Sequence, residues 1–384
     1  MRRLLILACT VVFLDVTFFA VLTPLLPDYR DDHALSEAGV GVLSGSFAAG
    51  TLVMALPAGW FAAHFGPRRA VLTGLAGIGV FSPVFGLADH IVLLDVSRFF
   101  QGASGALMWA GAMTWVITSG QPEQRGALVG TVIAAAVVGE LAGAPLGAVA
   151  HQVGTEIVFT SVLFLAIGLG LLAMTIPVPA VTERQAVRPA LAAARQSKLG
   201  RAVMILLAPS VAFGMVIVIA PLRMDDLGAS PFLIAAAFAL GSVTEAVIGP
   251  FIGRYSDRAG RTGPYAIGLS LLAIAVAVIG IFNVLPVLFA AVVLMAFASG
   301  IAFTPASALL TDVASSAGIN QGYASGASNV AWGGGQMAGA FGGGILAGAA
   351  GFILPCMLTV ILLGTMATVA RRTEETAPAV EVAG

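Results

Sequence analysis

Charge is scarce in this chain. Asp, Glu, Lys and Arg make up 10% of its 384 residues while 59% are hydrophobic, and an ordinary soluble domain carries roughly 25% charged residues. A water-soluble core cannot absorb that imbalance. Histidine is limited to four residues and cysteine to two, with no His-x-x-x-His pair, no cysteine cluster and no phosphate-cradling Gly-Lys-Ser loop. Enzyme chemistry has little support, and an ATP-driven pump would lack a soluble segment to hold its nucleotide. No cofactor, metal or nucleic-acid partner is expected. Cys9 and Cys356 both fall in apolar runs, which argues against a disulfide. The run after Met1-Arg2-Arg3 is too long for a signal-peptide core and has no small-residue cleavage site, so it reads as a first membrane span.

What the chain has is long apolar runs. In lipid every backbone polar group must be bonded internally, so runs of about 20 apolar residues are helices. Twelve are predicted: 4–26, 38–62, 69–88, 91–118, 126–150, 156–178, 201–222, 231–252, 264–283, 285–310, 322–347 and 350–370. With alternating helices, Arg2, Arg3, Arg68, Arg69, Arg125, Arg184, Arg188, Arg195, Lys198, Arg201, Arg254, Arg258, Arg261, Arg371 and Arg372 share one side, and only Arg30 and Arg223 lie opposite. The positive-inside rule makes the rich side the cytoplasm, with both termini there. Short loops and the absence of lipidation motifs suggest the inner membrane of a bacterium.

The longest polar stretch follows the sixth run and divides the chain. Residues 1–178 are expected to form one six-helix bundle, 179–200 a cytoplasmic linker, 201–372 a second bundle and 373–384 a cytoplasmic tail. Echoes between the halves support the cut. "GWFAAHFGPRR" from Gly59 is answered 194 residues later by "GRYSDRAGR" from Gly253, and "RDD" at Arg30–Asp32 by Arg223, Asp225 and Asp226. Gly139, Gly143 and Gly147 of the fifth run return 196 residues later as Gly335, Gly339 and Gly343. Glycines four apart share one helix stripe and allow close backbone approach.

These motifs resemble those of the major facilitator superfamily, over nearly the whole chain. The family's G-x-L-A-D-R-x-G-R-R loop is matched at Gly253, Asp257, Arg258, Gly260 and Arg261, whereas the first copy keeps Gly59, Gly66 and Arg68 but has Ala63 and His64 at its Asp and Arg positions. Its R-x-x-Q-G is present as Arg98, Gln101 and Gly102. The fifth helix is similar to an antiporter motif through Gly139, Gly143 and Gly147, with Pro145 one place late, and Pro24 and Pro27 resemble the P-x-x-P closing the first span of drug:proton antiporters. The resemblance implies two pseudo-symmetric six-helix bundles working by alternating access, a cytoplasmic gate at the two loops, and no need of oligomerisation. It also implies that Asp15, Phe18, Phe19, Arg98, Gln101 and Trp109 line the cavity; Gln336, at the position symmetric to Glu140, can hydrogen-bond substrate but cannot carry a proton.

An ionised group deep in a bilayer is expensive unless paired or hydrated, so such residues mark function. Here they are Asp15, Arg98, Glu140 and Glu245. At ~1.5 Å rise per residue, Asp15 lies ~16 Å and Glu140 ~21 Å from the cytoplasmic ends of their helices and Arg98 ~10 Å below the outer end of its own. The three could form one cluster in which Arg98 neutralises one acid and the other, kept from water, carries a proton. Alternatively Arg98 pairs with Asp95 at i−3. Glu245 is either a second proton site or an acid snorkelling toward the cytoplasm. The expected function is proton-coupled efflux of a small lipophilic or cationic drug or metabolite. A proton-coupled importer, a sugar or metabolite exporter, and a non-transporting membrane receptor remain as alternatives.

Overall fold

The computed structural model describes residues 1–121, 124–178, 197–316 and 321–372, and among these every regular element is helical. The linker 179–200 falls almost wholly, and the tail 373–384 wholly, outside the described residues. The first span, α1, runs over Arg2–Asp32 as a helix Arg2–Ala20, a 3-10 turn Thr23–Leu25 and a short helix Leu26–Asp32. Eleven further helices follow: α2 (Glu37–Phe65), α3 (Pro67–Gly86), α4 (Ile91–Ser119), α5 (Arg125–Val153), α6 (Thr155–Met174), α7 (Ser197–Asp226), α8 (Pro231–Ala259), α9 (Thr262–Ile281), α10 (Leu285–Ser316), α11 (Gln321–Ala350) and α12 (Ile353–Arg372).

Ten of these are long and apolar enough to cross a membrane, and the two that fall short are α4 and α11. Both dilute their apolar content with polar and small residues: Asp95, Arg98 and Gln101 in α4, and ten glycines from Gly322 to Gly348 in α11. Each is packed between neighbours, α4 against α2 and α3 and α11 against α2 and α7, so neither needs a fully lipid-compatible surface.

Local signals recur in the two halves. Ser36 caps α2 by accepting from the Gly39 N–H, and Ser230 caps α8 by accepting from the Leu233 N–H, both at 3.3 Å. Gly66 (φ 92°) ends α2 and Gly260 (φ 87°) ends α8, where a side chain would be strained. Packing repeats as well. The pairs α1–α5, α2–α4, α3–α6 and α3–α4 reappear as α7–α11, α8–α10, α9–α12 and α9–α10. The two six-helix bundles meet along two seams related by the same pseudo-two-fold, α2 with α11 and α5 with α8.

The glycine stripes are what let the bundles close. A Cβ at Gly147 would lie 2.2 Å from the Val21 carbonyl oxygen, and one at Gly143 would lie 2.5 Å from the Ala20 Cβ. On the other side of the pseudo-two-fold, a Cβ at Gly339 would lie 2.1 Å from the Val211 carbonyl oxygen. Pro145 faces away from this contact and is exposed. One expectation is corrected here: Pro24 and Pro27 do not end the first span. Both occupy first-turn positions, of the 3-10 turn and of the short helix, where a missing N–H is tolerated, and the chain continues helically to Asp32.

Candidate functional site

A cavity of about 560 Å³ lies between the two bundles. On α2 its walls run from Phe47 to Gly59, on α4 from Ala106 to Ile117, on α5 from Val129 to Glu140, and on α10 from Phe303 to Thr311. Each stretch leads from mid-depth toward the membrane face that carries the N-terminus. On the opposite face the bundles are joined by Arg30, whose Nη2 and Nη1 donate to Asp225 at 2.8 Å and Asp226 at 2.9 Å. The cavity is therefore closed at the far face and directed toward the termini.

Asp15, Phe19, Trp109, Glu140, Glu245 and Gly59 line this cavity. Asp15 is only 5% exposed. Its Oδ2 accepts from Trp109 Nε1 at 3.0 Å, while Oδ1 is buried without a partner. A glycine makes the arrangement possible, since a Cβ at Gly105 would fall 2.1 Å from Asp15 Oδ1. Glu245 has a comparable allowance: a Cβ at Gly300 of α10 would lie 3.1 Å from its Cγ. Phe19 stacks obliquely on Phe47 (5.2 Å) and meets Trp332 edge-on (5.3 Å), joining rings from both bundles at the closed end.

Arg98 does not neutralise a carboxylate. Its Nη1 donates to the Phe18 carbonyl (3.1 Å) and to Gln101 Oε1 (2.9 Å), its Nη2 points to the Phe19 carbonyl (3.4 Å), and it forms an ion pair with neither Asp15 nor Asp95. The reason lies in α1. Its regular helix stops at Ala20, which leaves the last carbonyls without intrahelical donors at the negative end of the helix dipole, and Arg98 supplies the missing donors. The ring of Phe47 lies beneath the guanidinium at 4.9 Å.

Three further expected contacts lie elsewhere. Phe18 is buried against Phe159, centroids 5.6 Å apart, away from the cavity lining that holds Phe19. Gln101 is 1% exposed and fully engaged with Arg98, Ser82 and the Phe81 carbonyl. Gln336 is 1% exposed and its amide finds no partner among the described residues. The positions missed were Phe47, Phe213, Phe303, Asn329 and Trp332. A signal for two of them existed: Ile133 and Ala136 of α5 line the cavity, and Asn329 and Trp332 stand 196 residues later on α11.

The two loops facing the termini hold different contacts. In the first, Arg68 Nη1 reaches the Ile176 carbonyl beyond α6 at 3.5 Å. In the second, Arg261 bridges Asp257 (3.4 Å) and Asp312 of α10 (2.8 Å). Gly253 is near Thr304, whose Cγ2 a Cβ would meet at 3.7 Å, and Arg258 is exposed.

The model of the Major Facilitator Superfamily matches residues 8–219 and again residues 202–383, one match to each half. The chain belongs to the Major Facilitator Superfamily. It is 33% identical over 171 residues to the MFS-type transporter ppzB of Metarhizium rileyi (43% of this chain, 35% of that protein). It is 24% identical over 174 residues to Multidrug resistance protein 1 of Bacillus subtilis (45% and 44%). In these matches the chain spans less than half the length of either relative. The fold is similar to that of a D-xylose-proton symporter, with a TM-score of 0.77 and 16% identity over 97% of each chain. The protein is thus a multi-pass membrane protein with the major facilitator fold.

Proposed function

We propose that this transporter exports small lipophilic or cationic molecules from the cytoplasm in exchange for protons, by alternating access. The observation that carries the reading is the cavity lining: Asp15, Glu140 and Glu245 lie among Phe19, Phe47, Trp109, Phe213, Phe303 and Trp332, and among the described residues no Lys, Arg or His lines the wall. An acidic, aromatic wall favours cations and disfavours anions and neutral sugars. The 24% identity to a protein named for multidrug resistance points the same way. Asp15 is assigned the leading part in proton exchange, with Glu140 and Glu245 as further carriers and Arg98 as the brace of the α1 break. The loops containing Gly66 with Arg68, and Asp257 with Arg261, are assigned to the cytoplasmic gate.

The cationic loops support an orientation in which both termini and the linker 179–200 face the cytoplasm; the short loops suit a bacterial inner membrane, and the proposed cycle needs only a monomer. A cysteine at Ser197 is expected to react with impermeant maleimide in everted vesicles and not in intact cells.

Transport is tested in proteoliposomes with an imposed pH gradient and tetraphenylphosphonium as cargo. Gradient-dependent accumulation on the acidic side, abolished by a proton ionophore, is expected. Uptake in the same direction as the proton flux would make the protein an importer, and an absence of gradient-dependent flux would remove the cation reading.

A further inference from the structure

Glu140 and Glu245 belong to different bundles, yet they share one seam. Ala144 and Ala148 of α5 pack against Ala235 of α8, with Phe238 beside them. The two helices run antiparallel, so one turn toward the termini from Ala144 brings Glu140 opposite the stretch of α8 around residues 242–245. Within that stretch Glu245 turns to the cavity that Glu140 also lines, and the two carboxyl groups are near enough for their charges to interact. Depth along the helices places Glu140 in one layer with Asp15 and Arg98; in the fold it shares the cavity with Asp15 and Glu245, and the α5–α8 seam with Glu245.

The companion seam sharpens the contrast. By the repeat, Glu140 corresponds to Gln336, 196 residues later, and Glu245 to the neighbourhood of Thr51, 194 residues earlier. Thr51 donates to the Phe47 or Gly102 carbonyl at 3.2 Å and Gln336 is fully enclosed. Only the α5–α8 seam carries charge at these positions. Among the described residues the surroundings offer that charge no cation. The lining positions of α2, α4, α7, α10 and α11 are uncharged and α1 contributes Asp15. Farther along α5, His151 is engaged with Asp28 at 2.7 Å and Cys9 lies against the Thr131 carbonyl; farther along α8, Arg254 lies over Phe251.

We propose that Glu140 and Glu245 act as one couple, holding a single proton in common across the α5–α8 seam and releasing it to cavity water when a cation enters beside them. Two like charges facing each other across a mostly apolar cavity repel, and a shared proton removes the repulsion while tying the bundles together. An entering monocation replaces that proton one for one, so the net charge of the couple with its occupant stays at −1 in both states. This deepens the export reading and rests on it for the identity of the cation.

The carboxyl carbonyl stretch, followed by infrared titration through neutral pH in nanodiscs, tests the couple without cargo. Wild type minus Glu140→Gln/Glu245→Gln is expected to show the amplitude of one carboxyl group. The losses of the two single Gln variants are expected not to add up to that of the double variant, because either carboxyl group can hold the one proton, whereas Asp15→Asn leaves the band in place. An amplitude of two groups or none, or losses that add between the single variants, would overturn the couple. Saturating tetraphenylphosphonium is expected to erase the band and release about one proton per bound cation; a band that persists with the cation bound overturns the release step. If the one-group band is present and this cation does not bind, the cargo reading falls and the couple stands.

Discussion

At the scale of single residues, the intramembrane charges were legible in the sequence, but their partners were not. Asp15, Arg98, Glu140 and Glu245 stand out in apolar sequence because lipid tolerates few such groups. Depth along a helix places them in a layer but says nothing of azimuth, and azimuth decides that Arg98 faces the carbonyls of Phe18 and Phe19 while Glu140 faces α8. Arg98→Lys tests this assignment. Lysine keeps the charge but not the planar fork that spans several acceptors, and hydrogen bonds to charged groups contribute about 1.5–3 kcal/mol. The variant is therefore expected to melt at lower temperature in detergent and to lose transport, although the cavity acids are untouched. Unchanged melting and transport would return Arg98 to a purely electrostatic role. Asp15→Asn makes the opposite separation. An amide mimics the protonated acid, so exchange of labelled tetraphenylphosphonium across the membrane is expected to persist while accumulation driven by a pH gradient fails. Full gradient-driven accumulation by this variant would move the proton carrier elsewhere.

At the scale of helices, the sequence was most readable where spacing alone carries the physics. Glycines four apart predict a close helix contact, and the stripes of α5 and α11 lie against α1 and α7. The partner helices could not be read from the stripe itself. Helix ends were less legible than helix existence, as the continuation of α1 through Pro24 and Pro27 shows. Two glycine substitutions, one in each stripe, are expected to behave alike because their surroundings are alike. Gly147→Ala and Gly339→Ala each push a methyl group into a backbone carbonyl of the adjacent helix, and overpacking of this kind destabilises by about 1–3 kcal/mol. Gly168→Ala on α6 meets nothing within 4 Å and is expected to be neutral. Thermal unfolding in detergent distinguishes them, and equal stability of all three variants would mean that the stripes are not the close-packed element.

At the scale of the whole molecule, the repeat that was legible in sequence is broken where the bundles meet. "RDD" after the first span and Arg223, Asp225 and Asp226 after the seventh read as equivalent elements, and under perfect two-fold symmetry each arginine would reach the other's acids. Only one does so. Arg30 crosses to Asp225 and Asp226, whereas Arg223 turns into its own bundle, donating to the Ile279 and Phe282 carbonyls and to Asn283 at the end of α9. The acid–arginine contacts on the side of the termini, through Arg261, also stay within one bundle. The Arg30 cluster is thus the ionic tie between the bundles on the closed face, and its removal should favour the state open on that side. Its side chains are partly exposed, so each pair contributes only about 0.2–1 kcal/mol, enough together to shift a two-state ratio several-fold. Spin labels at Leu35 and Gly228, in the loops after α1 and α7, report this directly. Arg30→Gln is expected to add a longer-distance population at the expense of the wild-type distance. Arg30→Asp combined with Asp225→Arg, which restores one crossing pair, should recover part of the short-distance population. An unaltered distance distribution in Arg30→Gln would show that the glycine contacts between α2 and α11, where a Cβ at Gly41 would lie 2.5 Å from the Ala340 carbonyl oxygen, hold the closed face without ionic help.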